Sequence, residues 1–365
     1  MKTIVIAHNY SEISFASMSY HLSHHLASLG NRVVFISHHP FFSTVEIVHK
    51  GKGEIIVYSW PTQKRPTSLN DFIWFAKLYL KYKPDIVIGH FVGSNITVSV
   101  SKILSLGKVK TFEYYHTLSS QILQDLDKIT LKQRLFFIRK RIFYGLFCDL
   151  IICPSEMAKT DLKLFYGIRK GFVVLNPMVD RYKGKVIFSE DSIVLSYLGR
   201  LDSSKGVTDL IDAFEAYKNK FKNSKMILNI AGTGSQESKI KELTNQNTSI
   251  HFCGGLSYEK IDGYLNHSHF TIIPSKFDNL PTVGLESIMN QTPLLISSTT
   301  GLSHYLTDGR ECYKFEPSID GMIALFEKVE RNFDNHKQMG IEARATFLST
   351  FSIDTYCDDF SKIIL

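Results

Sequence analysis

Short runs rich in Val and Ile recur along this chain, and stretches of helical periodicity lie between them. This alternation sets the fold class. Near-continuous apolar runs mark strands buried on both faces, the signature of a parallel sheet. In the first half, Thr3–Ala7, Arg32–Ser37, Glu54–Tyr58, Asp85–Gly89, Lys110–Tyr115 and Leu150–Cys153 read as strands, with helices over 15–29, 69–82, 95–106 and 131–147. Ser155 is placed to cap a helix over 156–165. The rhythm restarts in the second half, with strands at Ile193–Leu198, Met226–Ala231, Ser249–Cys253, Phe270–Ile273, Leu294–Ser297 and Cys312–Phe315. Helices are expected there over 207–220, 236–245, 258–266, 281–289 and 320–333. Between the halves, residues 176–185 (Asn-Pro-Met-Val-Asp-Arg-Tyr-Lys-Gly-Lys) are rich in breakers and charge and read as a linker. With 365 residues, two doubly wound α/β domains with a cleft between them are the natural architecture.

Ligands of such sheets sit beyond the carboxyl ends of the strands, and the informative motifs fall there. Residues 274–290 read Pro-Ser-Lys-Phe-Asp-Asn-Leu-Pro-Thr-Val-Gly-Leu-Glu-Ser-Ile-Met-Asn. A strand ends before this stretch, and Pro281 is expected at the first position of a helix. Free N–H groups from Thr282 to Gly284 would then make an anion site. Asp278 and Glu286 lie on either side, placed to hold hydroxyls flanking that anion. A sugar joined to a nucleoside diphosphate has this layout. Taken singly, Asp278 reads as a turn residue and Glu286 as a solvated one.

Two further strand-to-helix turns belong to the same half. In Tyr197-Leu-Gly-Arg-Leu-Asp-Ser-Ser-Lys-Gly206, Arg200 and Lys205 could neutralise a diphosphate, and Gly206 permits close backbone approach. A surface Arg and a solvated Lys are the plain alternative. Gly232-Thr233-Gly234 either offers backbone amides to a ligand or is a simple tight turn, since Glu237 occupies the third glycine position of a dinucleotide fingerprint.

The order and spacing of Gly-Arg-Leu…Lys-Gly, Gly-Thr-Gly and the acid-x7-acid segment resemble the retaining GT-B glycosyltransferases called glycosyltransferase family 4. The resemblance covers nearly the whole chain and is strongest over 193–316. It implies two Rossmann-like domains facing each other across a cleft: an acceptor-side domain (1–180), a nucleotide-sugar domain (181–345), and a C-terminal helix (346–365) returning to the first domain. By position, Arg200 and Lys205 would hold the donor diphosphate and Glu286 the ribose hydroxyls. Asp278 would contact the donor sugar, and Asn279, Leu280, Pro281 and Thr282 would form the loop around sugar and phosphate. Gly232, Thr233 and Gly234 would face the donor. Asp278 stands where the family usually has Glu, which changes the reach toward the sugar. His116, in Tyr114-Tyr-His-Thr117, resembles a His that hydrogen-bonds the donor sugar near the reacting carbon, and a structural His is its alternative. The loop from His8 to Ser14 corresponds to a segment that is often Gly-rich. It has no Gly here, and Ser14, Phe15 and Ala16 are expected in its turn.

His21, His24, His25, His38 and His39 suggest a metal, but no carboxylate or Cys pattern completes a site, and the family generally needs none. No cofactor is expected beyond the donor itself, UDP- or GDP-linked. Five scattered Cys without Cys-x-x-Cys spacing fit reduced thiols in the cytoplasm. The N-terminal run Lys2–Ala7 reads as a first strand rather than a signal peptide, and no window is apolar enough to span a membrane.

Charge is uneven. Residues 1–180 hold 22 Lys and Arg against 12 Asp and Glu, a net of +10, while 181–365 hold 20 against 23, a net of −3. Within the basic half, residues 128–147 interleave basic and bulky apolar residues at helical spacing. One reading is a helix lying on anionic lipid, with the protein peripheral on the cytoplasmic face of the inner membrane. The other is a core helix with a solvated basic face. No motif supports a nucleic-acid partner.

The expected activity is transfer of a sugar, with retention, to the hydroxyl of a glycan or lipid-linked acceptor in bacterial surface polysaccharide, lipopolysaccharide or glycolipid assembly. A nucleotide-sugar epimerase or hydrolase, and a non-enzymatic nucleotide-binding subunit, are the alternatives.

Overall fold

The computed structural model describes residues 1–8, 13–38, 47–62, 65–91, 95–124, 129–186, 191–245 and 247–365. They form two compact units, Met1–Pro177 together with Ile353–Leu365, and Met178–Ser352.

The first unit runs β1 (Thr3–His8), α1 (Ile13–Ser28), β2 (Arg32–Ser37), β3 (Ile47–Lys50), β4 (Gly53–Ser59), α2 (Leu69–Tyr82), β5 (Ile86–His90) and α3 (Asn95–Leu104). It continues through β6 (Lys110–Tyr114), α4 (Ser119–Gln124), α5 (Leu131–Phe147), β7 (Leu150–Cys153), α6 (Glu156–Tyr166) and β8 (Gly171–Val173). The sheet order is β3-β4-β2-β1-β5-β6-β7-β8, parallel except for β3 against β4. Every residue of β1 and β5 is buried, as their unbroken apolar runs require. Capping boxes start α2 (Ser68 with Asp71) and α5 (Thr130 with Gln133), and Ser155 caps α6 through the Ala158 amide.

The second unit runs β9 (Ile193–Leu198), α7 (Val207–Lys220), β10 (Met226–Ala231), α8 (Glu237–Thr244), β11 (Ile250–Gly254), α9 (Tyr258–Asn266) and β12 (Phe270–Ile273). Then come α10 (Thr282–Met289), β13 (Leu294–Ser297), β14 (Cys312–Phe315), α11 (Ile319–Arg331) and α12 (His336–Thr346). Its strands are ordered β11-β10-β9-β12-β13-β14, with every pairing parallel. Tyr197, Leu210, Phe214, Phe270 and Phe326 pack the core between sheet and helices.

A last helix, α13 (Ile353–Ile364), rejoins the first unit. Its Tyr356, Phe360 and Ile364 pack into the same core as Ile4, Ile6 and Leu22, and the Tyr356 hydroxyl hydrogen-bonds that of Tyr114.

Strands β3 and β8 and helices α4 and α12 are not among the expected elements, and three further details depart from the sequence expectation. Helix α10 begins at Thr282, and Pro281 is its cap, with φ −62° and ψ 118°. The Gly284 amide already donates to the Pro281 carbonyl (3.0 Å), so among the described residues at most the Thr282 and Val283 amides of the expected three remain open. Ser14, Phe15 and Ala16 lie in the first turns of α1, not in a loop. Residues 9–12 of that loop, His39, and Lys128 of the basic stretch fall outside the described residues.

Candidate active site

The second unit winds outward from β9 through β10 to β11, then returns to the other side of β9 with β12. The carboxyl ends of β9 and β12 therefore flank the point where the strand order reverses, where a doubly wound sheet opens a crevice. Lys205 follows β9 and Asp278 follows β12.

A glycine brings them together. After β9 the chain makes one tight turn over Ser203–Lys205, then passes through Gly206 at φ +70° into α7. A Cβ on Gly206 would lie 2.4 Å from the Pro274 carbonyl oxygen, so this backbone rests directly on the segment leaving β12. The Lys276 amide, donating to the Ser204 carbonyl (3.2 Å), ties the same loops. Lys205 Nζ consequently stands 2.5 Å from Asp278 Oδ2, with the two side chains only 16% and 15% exposed. Asp278 is fixed in turn by the Gly301 amide on its carbonyl (2.8 Å). Asn279, Leu280 and Pro281 are buried behind it, and Thr282 is exposed.

Arg200 does not join this pair. Its side chain is 64% exposed and reaches Asp202 (Nη1 to Oδ2, 2.8 Å). The other oxygen of Asp202 accepts from the Ser235 amide (3.2 Å) and hydroxyl (2.8 Å), joining the first turn to the Gly-Thr-Gly turn. The glycines of that turn serve close packing. A Cβ on Gly232 (φ +144°) would fall 1.8 Å from the Gly199 carbonyl oxygen, and one on Gly234 would meet the Leu201 backbone at 2.6 Å. The Gly232 amide donates to the Gly254 carbonyl, and the Thr233 carbonyl accepts from Leu201. Thr233 and Gly234 are exposed at the tip of the turn.

Glu286, on the second turn of α10, is buried in a cluster with Arg181, Asp262 and Asn290. The Arg181 guanidinium binds Asp262 through two hydrogen bonds (2.8 and 3.0 Å) and reaches Glu286 at 3.5 Å, stacked on the Tyr258 ring at 4.8 Å. Burial pushes the Glu286 carboxyl from its ordinary 4.5 up to about 7; Arg181 opposes this rise and the Asp262 charge adds to it. Neither Arg181 nor Asp262 stood out in the sequence. Arg181 reads there as one charge in a linker, yet that segment is fastened to the second unit. Asp180 pairs with Arg344 (2.6 Å), and Lys185 donates to the Ser268 carbonyl and the Thr292 hydroxyl.

In the first unit, the strand order reverses between β1 and β5, where His8 and His90 are register partners. His116, just beyond β6, has its Nε2 3.2 Å from His90 Nδ1, and its ring stacks on Phe91 at 4.2 Å. Phe91 takes φ +68°, a left-handed conformation unusual for an aromatic residue. Burial, then His8 and Lys140, lower the His116 imidazole to about 3, so it is neutral at physiological pH. Of the other histidines singled out above, His25 lies 3.6 Å from Asp358, and His24 packs edge-on against Tyr20.

Residues 16–181 match the family model for Glycosyltransferase Family 4, and residues 178–346 match that for glycosyl transferases group 1. An uncharacterized glycosyltransferase of Methanocaldococcus jannaschii is 23% identical over 241 residues, covering 60% of this chain and 57% of that protein. Lipopolysaccharide 1,2-N-acetylglucosaminetransferase of Salmonella typhimurium is 24% identical over 237 residues, covering 58% of this chain and 61% of that protein. The chain spans about half the length of the curated relatives it matches. The structure of Anabaena HepE in complex with UDP shares the fold, with a TM-score of 0.71 at 13% identity, over 100% of this chain and 99% of that one. The chain thus carries a Glycosyltransferase Family 4-like domain followed by a glycosyl transferases group 1 domain, in the two-domain α/β GT-B fold with parallel sheets.

Proposed function

We propose that the chain transfers a sugar from a nucleotide-sugar, UDP- or GDP-linked, to an acceptor hydroxyl with retained anomeric configuration. The products belong to lipopolysaccharide, another surface polysaccharide or a glycolipid. One observation carries this reading: the Lys205–Asp278 pair at the reversal point of the second sheet. A donor brings the counterpart of each member, diphosphate oxygens for the amine and sugar hydroxyls for the carboxylate. UDP in HepE and the named activity of the Salmonella relative support a nucleotide-sugar donor and a polysaccharide product.

In this mechanism, negative charge grows on the diphosphate as the bond to the anomeric carbon breaks. The first-turn amides of α10 meet that charge, and so does Lys205 once the donor takes the place of Asp278; Arg200 joins them by turning from Asp202. The acceptor hydroxyl forms its bond on the face the diphosphate leaves. Its proton passes to the departing phosphate oxygen, so no strong protein base is needed. His116 suits a hydrogen-bonding role toward the donor sugar, because an imidazole lowered to about 3 is too weak a base to take that proton at neutral pH. Glu286 holds the ribose hydroxyls.

The test is a thermal-shift panel of UDP, GDP, ADP and their common sugars, followed by turnover with the stabilising donor in EDTA. Selective stabilisation by one nucleotide and its sugar, with turnover intact in EDTA, is the expected result. Donor consumed equally fast without any acceptor would replace transfer by hydrolysis or epimerisation.

A further inference from the structure

Helix α5 presents three zones around its axis. Its inner face is packed: Phe143 and Tyr144 are buried, Phe137 meets Phe165 at 5.0 Å, and the Lys140 amine sits over the rings of Tyr115, Tyr144 and Tyr166 at 5.0–5.9 Å. Its outer face is also apolar, and nothing covers it among the described residues. Leu131, Leu135, Ile138, Ile142 and Leu146 are 74%, 58%, 55%, 51% and 69% exposed. At about 100° per residue these five fall within a stripe of about 80°, and at about 1.5 Å per residue the stripe runs roughly 22 Å.

The third zone is the border. On the same wheel, Lys132 and Arg139 line one side of the stripe and Arg134 and Arg141 the other, and all four are exposed. The helix contains no Asp or Glu. A core helix with a solvated basic face would put cations at the centre of its outer surface. Here aliphatic side chains occupy the centre and cations the rim.

We propose that this face of α5 lies in the plane of an anionic lipid surface. Its aliphatic stripe would sit at the headgroup–acyl boundary, and the two basic rows would pair with lipid phosphates on either side. Long Lys and Arg stems allow the charges to stay at headgroup level while the stripe enters. A second copy of this chain is a poor occupant, because a two-fold contact through this stripe would set basic rows against basic rows. No helix among the described residues is long and apolar enough to cross a membrane.

The test is sedimentation of the full chain with phosphatidylcholine vesicles, with and without an equal part of phosphatidylglycerol. The wild type is expected to partition onto the phosphatidylglycerol vesicles at least tenfold more strongly than onto phosphatidylcholine alone. Leu135→Glu with Ile142→Glu should lower that partition at least tenfold and leave the melting curve unchanged, since both positions face solvent. The proposal is overturned if the wild type stays in the supernatant at low salt, or if the double variant binds as the wild type does. A concentration-dependent dimer that the double variant dissolves, without vesicle binding, assigns the face to a second copy instead.

Discussion

Removing the Lys205 cation tests both the energetics and the chemistry of the second unit. Lys205 and Asp278 are 16% and 15% exposed, 2.5 Å apart. Lys205→Ala strands a largely buried carboxylate, at a cost of about 2–3 kcal/mol, below the range for a fully buried pair because some solvent reaches the site. In a unit of this size that lowers its melting temperature by roughly 5–10 °C. If Lys205 also meets the charge growing on the diphosphate, turnover falls by about 100- to 1,000-fold, the scale of a lost transition-state donor. Lys205→Met combined with Asp278→Asn separates the two effects. With neither charge left, most of the stability should return, to within about 1 kcal/mol of the parent, since replacing both partners of a pair is far milder than orphaning one. Turnover should stay low. Calorimetry and a product assay on the parent, Lys205→Met, Asp278→Asn and the double variant complete the cycle. Wild-type turnover in Lys205→Ala refutes the assignment, and so does recovery of turnover along with stability in the double variant.

Other perturbations have equally definite outcomes. Glu286 binds its proton more tightly folded (about 7) than unfolded (4.5), so the folded state holds more protons across that window and its stability falls as pH rises through it, by up to about 3 kcal/mol. Glu286→Gln should flatten this slope in denaturant titrations between about pH 4.5 and 7 and weaken UDP binding about tenfold or more, read by calorimetry. Gly232→Ala places a Cβ 1.8 Å from the Gly199 carbonyl at φ +144° and should destabilise the second unit by at least ~3 kcal/mol. Gly254→Ala, at φ +73° with nothing within 4 Å, should cost only about 1 kcal/mol in the same melts. Phe360→Ala empties a fully buried site where α13 joins the first core and should cost about 3–5 kcal/mol, seen as a lower denaturant midpoint.

Much of the fold was legible because parallel strands covered on both faces must be continuously apolar. Thr3–Ala7, Asp85–Gly89 and Phe270–Ile273 read as strands for that reason, and the observed strands Thr3–His8, Ile86–His90 and Phe270–Ile273 differ from them by a residue at most at either end. Ser155 announced α6 by its chemistry alone. The missed strands, β3 and β8, are short edge strands: three of the four residues of Ile47–Lys50 are exposed, and Gly171–Val173 is only three residues long, too short to stand out as an element although Phe172–Leu175 is apolar. In the site, Lys205, Asp278 and Glu286 were visible as residues, but their partners were not. The Lys205–Asp278 contact depends on the Gly206 backbone resting on Pro274, a fact of tertiary packing. Arg181 and Asp262 are 81 positions apart, and no local pattern joins them.

The charges of the second unit suggest an order of events at the proposed donor site. Arg181 gives its two shorter bonds to Asp262 and only a 3.5 Å contact to Glu286, which helps explain why burial leaves Glu286 with a carboxyl near 7. That cluster is close to neutral at rest, and so is the Lys205–Asp278 pair. The Arg200–Asp202 pair differs, with the guanidinium 64% exposed, and an ion pair in that much water holds its members weakly. On the proposed function, an arriving diphosphate would meet the Arg200 cation first, and Lys205 would be released only when the diphosphate and the sugar hydroxyls together replace what it and Asp278 give each other. A bare nucleoside diphosphate offers Lys205 a phosphate but leaves Asp278 without a partner, whereas the intact donor satisfies both. If the donor binds as proposed, discrimination between donor and spent nucleotide rests on Asp278.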